Sequence, residues 1–292
     1  MKQFTILLLL ATGVVVAQAV VMGNTGRLVG GRRVNLNRYS YFSSMSAEVY
    51  GGFFMCGAAL IHDDILLTAA HCSVDAISYD ATINATTHVT FTSPTLEMTE
   101  YRAGVNYARP HPEFNESDYK SPDIMVVRLD RVFETDDGFT KVRLNELDTF
   151  PNDGATTTVM GLGETDVLVA RNPEFLQEVN VNIIPHTDCN DTNSYNGLIA
   201  HERMICAGSN SGGRDACIGD GGGPLISKGS NASDDILVGI VSFGYGCGQR
   251  DYPGVYTRVS HYTDWIKAQI CELSVRKPPY CGSSGSTRFL SN

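Results

Sequence analysis

Eight cysteines, none in a C-x-x-C pair, constrain this chain of 292 residues more than any other feature. Structural zinc sites draw on closely paired cysteines, so the spacing argues against zinc. An even number of thiols in a chain of this size points instead to disulfides and an oxidising compartment. The amino terminus agrees. Lys2 gives a short positive start, residues 6–16 form an uncharged apolar run, and Ala17-Gln18-Ala19 supplies the small-x-small step of a signal peptidase site. Residues 1–19 therefore read as a signal peptide and the protein as secreted and extracellular. The competing reading is an uncleaved anchor, because apolar character continues through Val21 and Met22, but the run is short for a span of about 20 residues. No later segment is apolar enough to cross a bilayer. Export also gives meaning to four N-x-S/T sequons, at Asn84, Asn115, Asn190 and Asn231, each a glycosylation candidate.

Charge narrows the partners. Lys and Arg total 22 against 32 Asp and Glu, a net charge of −10, and no acidic residue precedes Glu48. Such a surface repels nucleic acid and anionic membrane and suits cationic ligands.

The body reads as short strands. Runs rich in Val, Ile, Thr and aromatic residues recur at 65–67, 124–129, 156–160, 176–184, 236–243 and 255–259, with turn-forming clusters and glycines between them. That punctuation predicts an all-β sandwich or barrel. Only the segment after Ser260 looks helical: Tyr262, Trp265, Ile266 and Ile270 lie on one face, with Ser260 as N-cap. From Glu272 onward, Pro278-Pro279 and the Gly/Ser stretch after Cys281 are poor core formers, and the end is expected to be flexible.

Three motifs carry chemistry. Thr68-Ala69-Ala70-His71-Cys72 closes an apolar strand and holds an imidazole beside a cysteine, as a rigid yet accessible general base requires. A lone histidine is more often a surface or core residue, and six others occur, at 62, 88, 111, 186, 201 and 261. Asp123 opens the apolar run Ile124-Met125-Val126-Val127-Arg128-Leu129, where a carboxylate can orient a histidine tautomer and stabilise its cation. Taken alone it reads as a turn residue starting a strand. Asp215-Ala216-Cys217-Ile218-Gly219-Asp220-Gly221-Gly222-Gly223-Pro224 has the glycine density that lets backbone N–H groups turn towards a ligand; in isolation it reads equally as a flexible loop.

In this order, and with these cysteines, the motifs resemble those of the trypsin-like, chymotrypsin-fold serine proteases from Leu28 to about Ile270. Arg27-Leu28-Val29-Gly30-Gly31 is similar to that family's activation site, Cys56-Gly57-Ala58-Ala59-Leu60-Ile61 to the strand before its histidine, and Cys206-Ala207-Gly208 and Pro253-Gly254-Val255-Tyr256-Thr257 to later segments. The resemblance implies two antiparallel six-stranded β-barrels with a C-terminal helix and a cleft between the barrels. It implies pairs Cys56–Cys72, Cys189–Cys206 and Cys217–Cys247, which leaves Cys271 and Cys281 to close a loop on the tail. It divides the chain into the signal peptide, an activation propeptide at 20–27, a peptidase domain at 28–271 and a tail at 272–292.

The resemblance also assigns roles. His71 and Asp123 stand as catalytic residues, the N–H groups of Gly219 and Gly221 as the oxyanion hole, and Asp215 as the floor of a pocket for Lys or Arg. Gly244 and Gly254 leave that pocket open, and Ser242 and Phe243 bind an extended peptide backbone. Asp220 is expected to accept the α-amino group of Leu28 once the chain is cut after Arg27. The family usually has Ile where Leu28 stands, a mild departure, and Trp where Leu162 stands, which reads as local repacking. The larger departure is Gly221, which occupies the position of the nucleophilic serine. Without a hydroxyl no acyl-enzyme can form. The expectation is a proteolytically inactive homologue that binds Lys- or Arg-containing peptides or proteins, as decoy, regulator or cofactor, with another protease or an inhibitor as candidate partners. The alternatives are an active endopeptidase, should serine be the natural residue at 221, and a recognition module working through surface loops. A monomer without cofactor is expected; no clear calcium ligand set follows Cys72.

Overall fold

The computed structural model describes residues 28–87, 101–164, 172–209 and 211–282. The leader, the propeptide with Arg27, and the chain beyond Gly282 lie outside the described residues. A short strand Arg32–Arg33 (β1) comes first, followed by Phe42–Val49 (β2), Gly52–His62 (β3), Ile65–Thr68 (β4), Ser78–Ile83 (β5), Tyr101–Pro110 (β6) and Met125–Leu129 (β7). Strands β2 to β7 close on themselves as an antiparallel barrel in the order β2-β3-β4-β7-β6-β5. Leu60, Leu66, Ile83 and Val127 fill its interior. The second half contributes Arg143–Leu144 (β8), Thr156–Gly161 (β9), Gln177–Ile184 (β10), Met204–Gly208 (β11), Pro224–Ser227 (β12), Ile236–Phe243 (β13) and Gly254–Arg258 (β14). Strands β9 to β14 form a second six-stranded antiparallel ring, in which β9 pairs with both β10 and β12. Val159, Val181, Ile205, Leu225 and Tyr256 pack inside it together with Leu28. Outside the ring, β1 adds to β10 and β8 runs parallel to β13.

Closure removes free strand edges, so the loops at the barrel ends, rather than the strands, are left to build a cleft. All eight cysteines are paired, as Cys56–Cys72, Cys189–Cys206, Cys217–Cys247 and Cys271–Cys281. The first three are the pairings that the resemblance implies, and the fourth closes the tail loop expected from the two cysteines left over.

Three local expectations change. The C-terminal helix is Thr263–Leu273 (called αC here), so it continues through Glu272 and Leu273, which the sequence reading assigned to the tail. Ser260 does not cap it. An N-cap residue needs a non-helical backbone, but Val259 is already helical and Ser260–Tyr262 forms a 3-10 turn. Tyr262 takes the N-cap position without a side-chain bond, and the Ser260 hydroxyl has no protein partner among the described residues. A one-turn helix, His186–Cys189, also occurs where only strands and loops were read, its end tied to β11 by Cys189–Cys206.

Candidate active site

The loop ends meet where the sequence motifs predict. His71 sits on a 3-10 turn, Ala70–Ser73, directly after β4, and Cys72 within that turn is bridged to Cys56 on β3. The turn therefore has one covalent and one hydrogen-bonded anchor, since Asp123 Oδ1 accepts the His71 backbone N–H at 2.8 Å. The second oxygen, Oδ2, lies 2.8 Å from His71 Nδ1, which therefore donates, and it accepts the Ser242 hydroxyl at 2.5 Å. Thr257 Oγ1 donates to the Asp123 carbonyl at 2.7 Å and fixes the residue to β14 of the other barrel. Burial disfavours the carboxylate, but the adjoining His71 ring, the Ser242 hydroxyl and the His71 amide outweigh it and hold Asp123 below its ordinary range. The same pair works in reverse on His71: burial pulls its pKa down, Asp123 pulls it up, and the net direction is up.

Gly221 faces the free nitrogen of that ring. A β-carbon at Gly221 would stand 2.6 Å from His71 Nε2 and 3.1 Å from Cε1. A β-carbon there requires the imidazole to shift, because the end of the His71 side chain occupies the space that a larger residue would need. Gly219 has φ +91°, open to glycine without strain, and this turn carries the chain past Gly163. The N–H groups of Gly219 and Gly221 donate to no protein acceptor among the described residues. Both residues line a cavity of about 370 Å³ together with His71, Asp215, Ser242 and Tyr256.

Asp215 is 2% exposed; Gly248 N–H donates to Oδ2 at 2.9 Å, and no donor is aligned on Oδ1. Burial pushes its pKa up to about 7, more than the amides of Gly248, Ala216 and Gly254 pull it down. Gly254 is required here: a β-carbon would lie 2.6 Å from Asp215 Oδ1. Gly244 is less constrained, since its nearest obstacle, the Gly246 carbonyl, is 3.5 Å away. Phe243 packs against Tyr119, tilted, and edge-to-face against Tyr195.

Asp220 is fully buried and accepts two backbone N–H groups, from Gly163 at 2.8 Å and Cys217 at 2.9 Å. Burial pushes it to about 7 as well. In the uncut sequence Arg27 precedes Leu28, whose nitrogen is then a peptide nitrogen without charge and cannot form the expected ion pair with Asp220; Leu28 itself is buried in the second core. Arg27, the other half of the expected activation site, lies outside the described residues.

The sequence reading did not find Thr257, Tyr256 and Gly248 as site residues. Tyr256 has a buried hydroxyl without a partner. Both Tyr256 and Thr257 stood inside a quoted motif, but nothing in their spacing shows that they reach Asp123 or the cavity. The sequons divide in two. Asn115 and Asn231 are exposed, whereas Asn84 is buried and bonded to Asn37, and Asn190 is engaged by His186 and Ile199. Among the described residues the one cluster with metal-ligand spacing is Cys56, His71 and Cys72, and its sulfurs are consumed by their disulfide.

Two six-stranded barrels whose loops hold a His–Asp pair beside a carboxylate-floored cavity define a protein of the chymotrypsin fold. The profile of the family described as Trypsin matches residues 28–266. The chain is 33% identical to trypsin epsilon of Drosophila erecta over 85% of its own length and 89% of that protein. It is 32% identical to a trypsin of Xenopus laevis over 92% and 99% of the two chains, and 33% identical to the anionic trypsin of Canis lupus familiaris over 88% and 95%. The chain belongs to the trypsin-like serine protease family.

Proposed function

We propose that this protein is a secreted member of the trypsin family without proteolytic activity, which binds Lys- or Arg-containing segments of other proteins. The observation that carries the reading is Gly221, against which His71 Nε2 would stand 2.6 Å from any β-carbon. The nitrogen that would deprotonate a nucleophile has none to serve: the Ser242 hydroxyl is committed to Asp123, and Ser227 lies beyond Pro224 on β12. In an unrelated protease, loss of the serine alone lowers kcat about a millionfold. Binding is supported by Asp215, a nearly sealed carboxylate in the cavity lining with one oxygen unpaired. A guanidinium or ammonium placed there offsets a desolvation that the fold otherwise bears alone. The four disulfides and the leader support export, and glycans are compatible with Asn115 and Asn231, whose side chains reach solvent. Cleavage after Arg27 would release the Leu28 α-amino group as the cation that Asp220 lacks. A binding partner is then another protease or an inhibitor that presents a basic side chain.

The intact His71–Asp123 pair favours a second reading, an active endopeptidase if the natural residue at 221 is serine. One assay separates the two. The protein, cut after Arg27, is expected to leave an arginine ester unhydrolysed, whereas Gly221→Ser gains activity as the His71 ring retreats from the added side chain. Hydrolysis by the unaltered protein at a rate typical of trypsin would overturn the reading. No gain in a folded Gly221→Ser variant would mean that more than the nucleophile is missing.

A further inference from the structure

The vacancy at residue 221 changes what the cleft presents, and not only what it can catalyse. A hydroxyl at this point would put an oxygen, with its lone pairs, between His71 Nε2 and the two backbone amides. Glycine leaves no oxygen there. The surrounding polar groups of the protein are then the N–H groups of Gly219 and Gly221, which donate to no acceptor among the described residues, and the outer nitrogen of an imidazole whose inner nitrogen is held by Asp123 at 2.8 Å. All are donors once the ring is protonated. The Asp123 carboxylate is taken up by the His71 ring and amide and by the Ser242 hydroxyl, which donates to it at 2.5 Å. Across the same cavity lies Asp215, whose Oδ1 is unpartnered. One cavity thus has an anion-accepting mouth and a cation-accepting floor.

We infer that the site recognises the C-terminal arginine or lysine of a chain that has already been cut, with the side chain on Asp215 and the terminal carboxylate held by Gly219 N–H, Gly221 N–H and His71 Nε2. The inference rests on the basic pocket proposed above and names its ligand. An uncut peptide brings one neutral carbonyl oxygen to this mouth and continues past it. A free terminus brings two oxygens and a full negative charge, and charge-assisted hydrogen bonds are shorter and about twice as strong as neutral ones. The upward direction of the His71 pKa favours the protonated donor, and a carboxylate beside it favours that form further. An active enzyme turns such chains out as products. This protein would retain them, and its ligands would be the fragments that proteases of Lys/Arg specificity generate.

The test uses the full chain, as expressed and after cleavage following Arg27, and three peptides of one sequence. The first ends in arginine with a free carboxylate, the second in the same arginine as its amide, and the third continues for further residues. Calorimetry is expected to find the free acid bound about tenfold tighter or more than either other peptide. Asp215→Asn should abolish binding of all three, and His71→Ala should narrow the acid's advantage over the amide, with the Gly219 and Gly221 amides keeping the rest. The amide or extended peptide binding as tightly as the acid to the unaltered protein, with Asp215→Asn still abolishing it, would overturn the terminal reading and leave the basic pocket standing. No binding of any peptide to folded protein would overturn the pocket and this inference together. The comparison of peptides on unaltered protein decides the matter even if a variant fails to fold.

Discussion

Asp215 and Asp220 share an unusual position: both are sealed from water, and the groups that hydrogen-bond to them are backbone N–H donors rather than cations. For Asp215 the consequence can be measured. Its pKa of about 7 means that a cation entering below neutrality must expel a proton. Affinity for benzamidine, an arginine-side-chain mimic, should rise with pH by up to about tenfold per unit as far as about 7 and then level off. Calorimetry from pH 5.5 to 8 checks this, and a flat profile would show that Asp215 is not the cation's partner. The residue scale is also where the sequence was most and least informative. The His71, Asp123 and Asp215 motifs were legible because each is short and contiguous. Thr257 was not, because its bond to Asp123 joins residues far apart in the chain, and a hydroxyl inside a strand gives no local sign of such a contact.

At the scale of elements, the end of αC is held by one buried carboxylate. Asp64, 1% exposed in the β3–β4 turn, accepts the Ser274 hydroxyl at 2.6 Å and the Val275 N–H at 2.9 Å. Burial opposes its charge, but His62, Ser274 and the Val275 amide prevail, and its pKa lies below the ordinary value. Asp64→Ala strands those donors and should lower stability by about 3 kcal/mol in denaturant unfolding. Arg276→Ala, which removes an exposed, solvent-screened ion pair with Glu134, should change it far less. Equal effects would show that the helix end is not held by Asp64. The elements themselves were unevenly legible. Runs such as 236–243 declared themselves through Val and Ile, while β2, Phe-Ser-Ser-Met-Ser-Ala-Glu-Val, did not. Ser43 and Ser44 are buried in a strand paired on both sides, so barrel closure overrides their preference for turns and water. The wholly polar Ser260 misled in the opposite direction, because the core contacts of Val259 and Tyr262, not a capping hydroxyl, set the start of the helix.

On the scale of the molecule, the segment after Leu28 binds the two barrels together. Strand β1 joins β10 of the second barrel, and Tyr41 and Arg38 both bond to buried Asp235, at 2.6 Å each, just before β2 begins the first. Cleavage after Arg27 would therefore free an end that is already anchored, and its effect should be local to Asp220. In the uncut chain the folded state favours protonated Asp220, with a pKa of about 7 against an ordinary 3.8. A raised carboxyl pKa makes the native state bind the proton more tightly than the unfolded state. Stability from this group is therefore full below about pH 4 and falls as pH rises to about 7, by roughly 4 kcal/mol in all. An α-ammonium from Leu28 would pair with the carboxylate and remove that loss. Asp215 carries the same penalty in both forms and cancels from the comparison. The melting temperature of the cut protein should therefore exceed that of the uncut protein by an amount that grows from pH 4 to pH 7. In Asp220→Asn, which has no carboxylate to pair, the difference should not vary with pH. Parallel curves for the cut and uncut native-sequence proteins would show that the new terminus goes elsewhere. A gap that widens with pH only when Asp220 is present would place the terminus beside it.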